Sequence, residues 1–326
     1  RWFMNVGIFI SFGAMIVMTY LLLSSLSTVF ETPSVSLVIP GVEIPGSPIY
    51  IPFAYGIVAL ATVLIVHEFS HGILARVEKI NIKSIGLLLF AVLPGAFVEP
   101  DEEDMKKAEK TSRMRVYAAG SIANISLFVV AFLITMSISS FVIPETFHED
   151  GIQIERVLEG TPAYDILQTG MIIESLNGVN VTDGNAYSNA LSTLKPGETV
   201  NVTTDRGNYS FVAGKNPNNN SLGYMGVQAV KNYQINDNVA NTYGNTLPWI
   251  WFSLLELFNW IAFLNLAIGL FNLLPMKPLD GGHLLEELLD YKLSENIVKP
   301  IIVLISSFMI FIIAISLIAG LTGGLF

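Results

Sequence analysis

The sequence predicts a polytopic α-helical membrane protein that carries a short β-hairpin and an inserted water-soluble domain. Three observations predict it. The 326 residues are 52% hydrophobic and 13% charged, whereas soluble domains carry roughly 25% charged residues; the mean hydropathy is +0.57. Apolar stretches run over about 2–26, 55–76, 114–143, 247–275 and 297–321, each near or above the roughly 20 residues of a spanning helix. A polar block at about 145–245, rich in Asn, Gly and acidic residues, separates the third stretch from the fourth. The expected organisation is an N-terminal membrane helix at 1–30, a first part of the membrane core at 31–144, the inserted domain with its linkers at 145–245, and a second part of the core at 246–326.

Composition also excludes chemistry. Cysteine is absent, which removes disulfides, thiolate nucleophiles and Cys-based metal sites. A net charge of −10 argues against nucleic acid as a partner. The chain opens RWFMN without an initiator Met, so residues upstream of Arg1 are expected. Residues 2–26 do not read as a signal peptide, because the apolar run is too long and no A-x-A-like site follows it.

The second apolar stretch contains VLIVHEFSHGILA, residues 63–75. The next segment, IKSIGLLLFAVLPGAFVEP at 82–100, is too short and too broken for a spanning helix. Two short strands joined at Pro94-Gly95 fit it better. A re-entrant hairpin at membrane depth must be paired or protein-covered; a simple cytoplasmic hairpin fits the pattern equally. In the polar block, short apolar alternation is punctuated by Asn177-Gly178 and Pro196-Gly197, as strands joined by turns require. Trp249 and Trp251 suit an interfacial belt, Glu256 a solvated acid, and the acidic run Glu99–Asp104 a solvated face.

Loop charges set an orientation. Residues 76–115 hold eight of the seventeen Lys and Arg, and residues 31–54 hold none. The positive-inside rule puts 76–115 in the cytoplasm. The block 145–245 and the C-terminus then lie outside a cell membrane, and 276–296 returns to the cytoplasmic side. Asn180, Asn201, Asn208 and Asn219 each head an N-x-Ser/Thr triplet, a weak support for an outer location, since Asn-rich sequence generates such triplets by chance.

His67, Glu68 and His71 carry the chemistry. Residues four apart share one helix face about 6 Å apart along the axis, so His67 and His71 can bind one metal ion. Glu68 lies about 100° round the helix, able to border the metal without coordinating it. This is the HExxH arrangement of zinc hydrolases, with the Glu as general base. Uncompensated, three ionisable groups in a membrane helix cost several kcal/mol, and a divalent cation compensates all of them. Two core histidines and a hydrogen-bonded Glu are the bland alternative. Catalytic zinc takes three protein ligands and keeps one position open. The fourth stretch ends in FNLLPMKPLDGGHLLEEL, where Asp280 lies on the same side of the membrane as the HExxH helix end. Asp280 is a third ligand, or else the N-cap of the helix that follows; His283 is the competing ligand.

HEFSH in a membrane helix, paired with NLLPMKPLDGG downstream, resembles the site-2 protease family of intramembrane zinc metalloproteases (peptidase M50-like), whose pattern is HExxH followed by N-x-x-P-x-x-x-L-D-G. His67, Glu68, His71, Asn272, Pro275, Leu279, Asp280 and Gly281 match it, and GAFVEPDEED at 95–104 and AAGSIANI at 118–125 are similar to family segments. The resemblance implies that His67, His71 and Asp280 ligate one catalytic zinc. It implies that Glu68 activates water and passes the proton to the leaving amine. Asn272 becomes a catalytic candidate, holding substrate backbone or the oxyanion; bracing the kink before Pro275 explains it equally, and Asn124 is a weaker candidate of the same kind. Substrates would be single-span membrane proteins already trimmed outside the bilayer, cut in regulated intramembrane proteolysis. The helical peptide bond must unwind first, and an edge strand at 82–100 can pair with it.

V-x-x-G-T-P-A from Val157, G-x-x-I-x-x-L-N-G from Gly170 and N-A-L-x-x-x-K-P-G-E-T-V from Asn189 resemble an α+β PDZ domain of the bacterial-protease type, with Met171 departing from the common Gly-Asp. The resemblance implies a peptide groove between the strand at 151–157 and the helix at 184–194, with Gly151 and Ile152 at the carboxylate end. It would bind a trimmed C-terminus or act as a size filter. Two rival readings remain: a membrane PDZ scaffold with a structural zinc, disfavoured by the presence of Glu68, and a zinc transporter, disfavoured because the intramembrane ionisable residues concentrate at one locus.

Overall fold

A computed structural model describes residues 1–29, 35–44, 47, 49–90, 93–217 and 219–322. The last four residues, where the outer C-terminus is expected, lie outside the described residues. The chain forms two compact units, 1–137 with 253–326, and 138–252.

The first unit begins with α1 (Trp2–Ser24) and α2 (Phe53–Val77). α1 is apolar all round, as helices in lipid are, and α2 departs from that at His67, Glu68, His71 and Arg76. On α1, Phe9 and Ile16 point away from the protein, while Met4, Ile8 and Met15 pack inward with Met114, Ala118 and Ile122. Gly7 permits close approach: a Cβ there would meet Ile122 Cγ1 at 3.2 Å. The first helix is therefore part of the core that holds the HExxH helix. After α2, Lys79 takes a left-handed conformation (φ 64°) and the chain turns into β1 (Ile82–Phe90), paired antiparallel with β2 (Leu93–Pro100). The expected turn at Pro94-Gly95 is wrong. Both residues lie inside β2, opposite Leu89 and Leu88. Gly95 is there because a Cβ would sit 3.1 Å from Leu88 Cβ.

The run Glu99–Asp104 is more than a solvated face. Asp101 caps α3 (Glu102–Lys107), accepting from Asp104 N at 3.0 Å. Asp104 accepts from Asn81 N and Nδ2 at 3.1 and 2.7 Å, and Glu99 accepts from Lys83 and Ser84 at 2.6 Å each. Glu102 and Glu103 are exposed as expected, and the Glu99 side chain is 42% exposed. Next, α4 (Lys110–Ser137) crosses the unit.

The second unit opens with a π-helical turn and α5 (Ile143–Thr146), followed by β3 (Phe147–Val157), β4 (Ile172–Leu176), β5 (Val179–Asn180), α6 (Gly184–Ser192), β6 (Thr199–Thr204), β7 (Gly207–Val212), β8 (Gly214–Lys215), β9 (Gly223–Tyr224), β10 (Val227–Ile235) and α7 (Asp237–Tyr243). The main sheet runs β10-β3-β4-β6-β7, with β5 on β4. Asn177 (φ 49°) and Gly178 (φ 79°) form the left-handed pair that an Asn-Gly hairpin turn requires. Asp183 caps α6 by accepting from Asn185 N and Ala186 N at 2.8 Å. The alternating residues Ile152, Ile154, Ile173, Val200 and Val202 close the core beneath α6 residues Ala190 and Leu191; each such burial is worth about 1.5–3 kcal/mol. The groove expected beside residues 151–157 is not open. β3 pairs with β10 along its length and with β4 at Ile152 and Gln153, so neither edge there is available to a peptide.

The first unit resumes with α8 (Ile250–Phe271), α9 (Asp280–Leu289) and α10 (Glu295–Leu321). Between α8 and α9 the chain folds into a tight turn. Gly281 N donates to Asn272 O at 2.8 Å, and Leu273, Leu274 and Leu284 are fully buried. A Cβ at Gly281 would lie 2.2 Å from Leu273 O, which explains the first glycine after Asp280. Glu256 on α8 is exposed. Among the described residues, five helical segments, Trp2–Thr28, Phe53–Val77, Lys110–Thr146, Leu247–Phe271 and Glu295–Leu321, are long and apolar enough to cross a membrane. The protein is a multi-pass membrane protein.

Candidate metal centre

The α2 spacing puts the His67 and His71 rings 4.8 Å apart, edge to face. Asp280 is the first residue of α9, so the turn that ends α8 delivers its carboxylate to them. Oδ2 lies 3.3 Å from His67 Nε2, and Oδ1 lies 3.4 Å from His71 Nε2. One donor atom from each of the three residues falls within 4.8 Å of the others. Asp280 does not cap α9; Leu279 occupies the N-cap position. His283 stands outside the three-residue cluster. It lines the same cavity one turn later, stacked on Tyr117 with centroids 4.8 Å apart and planes at 17°. His148 belongs to the other unit, where its Nδ1 is 2.8 Å from Asn236 Oδ1.

A cavity of about 760 Å³ reaches the cluster, and Glu68 and Asn272 both line it. Glu68 Oε2 accepts from the Val98 N–H of β2 at 3.1 Å. Asn272 also acts through its backbone, whose carbonyl holds Gly281.

One face of α4 packs against the cluster. Tyr117, Gly120, Ser121 and Asn124 recur at helical spacing. Ser121 Oγ donates to Asp280 Oδ2 at 3.2 Å. Gly120 makes room for the imidazoles: a Cβ there would lie 2.5 Å from His71 Nε2 and 2.7 Å from His67 Nε2. The sequence reading passed over Tyr117, Gly120 and Ser121. The available signal was the run of small residues in AAGSIANI, which a helical-wheel reading puts on one face.

The donor set fits a divalent ion. His71 Nδ1 lies 2.7 Å from Val116 O, so the proton belongs on Nδ1 and Nε2 keeps its lone pair. Asn124 is fully buried, its Nδ2 lies 3.3 Å from His67 Nδ1, and its Oδ1 has no partner. Turning the amide by 180° sets Oδ1 against His67 Nδ1–H and leaves Nδ2 at the partnerless position. Both rings then present Nε2 lone pairs to the carboxylate, the arrangement that outer-shell partners impose on metal-binding histidines. Burial lowers the His283 imidazole, and the Lys277 ammonium adds to the effect.

The family model for peptidase family M50 matches residues 55–313. The chain belongs to peptidase family M50. It is similar to two curated proteins. An uncharacterised protein of Methanocaldococcus jannaschii is 34% identical over 239 residues, which cover 72% of this chain and 56% of that one. A membrane-bound transcription factor site-2 protease homologue of Arabidopsis thaliana is 25% identical over 128 residues, 39% of this chain and 25% of that one. The M50 peptidase thus spans about half of the first relative and a quarter of the second. Among solved structures, the PDZ domain of an SdrC-like protein from Listeria monocytogenes covers 25% of this chain and 88% of its own, at 20% identity and a TM-score of 0.23, too slight a likeness to carry an argument.

Proposed function

We propose that the protein is an intramembrane zinc endopeptidase that cuts peptide bonds within or near the membrane segments of single-span proteins already trimmed outside. The observation that carries the reading is the convergence of His67, His71 and Asp280 on a cavity that Glu68 also lines. His67, His71 and Asp280 would hold zinc. Zinc, when bound, supplies a Lewis acid for the scissile carbonyl and eases deprotonation of water. Glu68 takes the proton of the attacking water and hands it to the leaving amine. Its carboxylate is aimed by the Val98 N–H, and one free oxygen remains for the proton. Asn272 offers an amide to substrate backbone or the developing oxyanion.

The hairpin is re-entrant in this reading and presents the substrate. β1 has a strand partner on one side only among the described residues. Ile85, Leu87 and Leu88 are 55%, 74% and 57% exposed, as residues facing lipid or an unwound apolar segment would be. Pairing along that edge satisfies backbone groups that lipid cannot.

Residues 145–245 form a PDZ domain on the outer face, and the zinc site lies toward the cytoplasm, as the basic loop 76–115 requires. The peptide groove is the cleft of about 310 Å³ between α6 and Gly223–Val227, where Tyr187, Ser188 and Leu191 face Tyr224, Met225 and Gly226. Tyr187 Oη is buried there without a partner. In this reading the ligand lies on the segment leading into β10 rather than on β3. Binding a trimmed C-terminus is the favoured role; a size filter and a non-catalytic scaffold with structural zinc are the alternatives.

Zinc content and cleavage of a helical membrane substrate, compared between wild type and Glu68→Gln, test the reading. Equal zinc with cleavage reduced 10²–10⁴-fold is expected for loss of a general base. Equal zinc with unchanged cleavage removes Glu68 from the mechanism, and zinc-free wild-type protein removes the metal centre.

A further inference from the structure

Helices α4 and α9 run antiparallel and meet through a series of polar rungs. Nearest the cluster, Ser121 bonds Asp280 at 3.2 Å. One turn away, Tyr117 stacks on His283. One turn further, Arg113 grips Glu287 with both arms of its guanidinium, Nε to Oε1 and Nη2 to Oε2 at 2.6 Å each. Beyond it, Lys110 Nζ donates to Asp290 O, and the Thr111 and Tyr291 hydroxyls are 3.2 Å apart. The paired residue numbers sum to 400 or within two of it, the constant register of two antiparallel helices facing along their length. Glu287 is 7% exposed, and Arg113 Nη1 is also engaged, donating to Ala108 O at 2.9 Å.

This register bears on the metal centre because Asp280 is the first residue of α9. His67 and His71 share a rigid helix, and their spacing is internal to α2. Asp280 arrives on a different helix after a turn, so its distance from the imidazoles depends on where α9 sits. A slip of α9 by one residue moves Asp280 by about 1.5 Å and rotates it by about 100°. The apolar contacts of α9 accept such a slip more readily than a two-point guanidinium–carboxylate fork, whose geometry is directional.

We propose that Arg113 and Glu287, with the Tyr117–His283 stack, are positioning residues that set the register of α9 and thereby hold Asp280 at metal-ligand distance. The inference rests on the metal assignment made above. Neither Arg113 nor Glu287 touches the three ligands, so their action is through the helix.

The test is zinc affinity of the full-length chain in detergent micelles, measured by competition with a chelating dye, together with the shift in unfolding temperature that zinc produces. In Glu287→Gln the zinc Kd is expected to rise 10–100-fold, the range for loss of an outer partner of a metal ligand, and the zinc-induced rise in Tm shrinks with it. A purely structural pair lowers Tm with and without zinc alike and leaves the difference intact; that result overturns the proposal. Should Glu287→Gln fail to fold, Arg113→Lys keeps the charge and loses the fork, and is held to the same two outcomes. His283→Phe, which preserves the stack, is expected to keep the wild-type Kd, whereas His283→Ala raises it several-fold; equal values in both remove the stack from the proposal. Wild-type protein without zinc affinity would defeat the metal assignment, whereas wild-type affinity unchanged in Glu287→Gln defeats only the positioning role.

Discussion

At the scale of single residues, the space left by one absent side chain matters as much as the ligands. Gly120 sits in the middle of α4, where glycine costs a helix about 1 kcal/mol relative to alanine. The cost is accepted because the backbone there lies against both imidazoles. Gly120→Ala should therefore improve local helix propensity and still damage the centre. We expect at least a tenfold loss of zinc occupancy at fixed free zinc, measured by elemental analysis of the purified protein, with the helical circular dichroism unchanged. Full occupancy in Gly120→Ala would mean that the rings can move aside and that the close contact carries no function. Asn124 follows the same logic in polar terms. Its orphaned Oδ1 has a use only if His67 carries its proton on Nδ1, which is the tautomer a metal at Nε2 needs.

At the scale of elements, the proposed function makes the hairpin a link between substrate and base. Val98 pairs with Ile85, yet its N–H points to Glu68, so it faces away from β1. Ile85, Leu87 and their alternates on β1 then turn their own N–H groups outward, by the alternation of an antiparallel ladder. Leu87→Pro removes one such outward donor without touching the bonds to β2. A hydrogen bond of this kind contributes about 0.5–1.5 kcal/mol, so KM should rise several-fold to about tenfold while kcat and zinc content hold. Leu87→Ala, which keeps the N–H, serves as the control. Equal KM in the two variants would locate substrate pairing elsewhere. The helix pair α4–α9 has a complementary task, holding Asp280 against a helix it does not belong to.

At the scale of the whole molecule, the prediction concerns sidedness. The chain lacks cysteine, so single cysteines report location without background. With Lys107→Cys and Asn208→Cys expressed in cells, a membrane-impermeant maleimide should label position 208 in intact cells and position 107 only after permeabilisation. The reverse pattern would invert the topology and with it the cytoplasmic placement of the metal centre. The inserted unit has its own hydrophobic core and its own cleft at α6, properties of a binding module that can be read separately from the membrane unit.

Much of this was legible in the sequence for physical reasons. Membrane helices announce themselves by length and apolarity, because lipid demands both of any spanning segment. His67 and His71 were readable because helical periodicity converts a spacing of four into a shared face, and Glu68 because the next residue round the helix borders that face. Asp280 was readable only as one of two alternatives, since sequence does not say which way a carboxylate at a helix start will turn. Tertiary structure decided that, by folding Asn272 to Gly281 into a turn that aims Asp280 at α2. It also decided what no local pattern carries: that Gly120 and Asn124 face the imidazoles and Ser121 the Asp280 carboxylate, that Val98 holds Glu68, that Pro94 and Gly95 lie inside β2, and that β3 has both edges occupied. These facts depend on which helix or strand lies opposite, and pairing across long chain separations leaves no periodic trace in a single sequence.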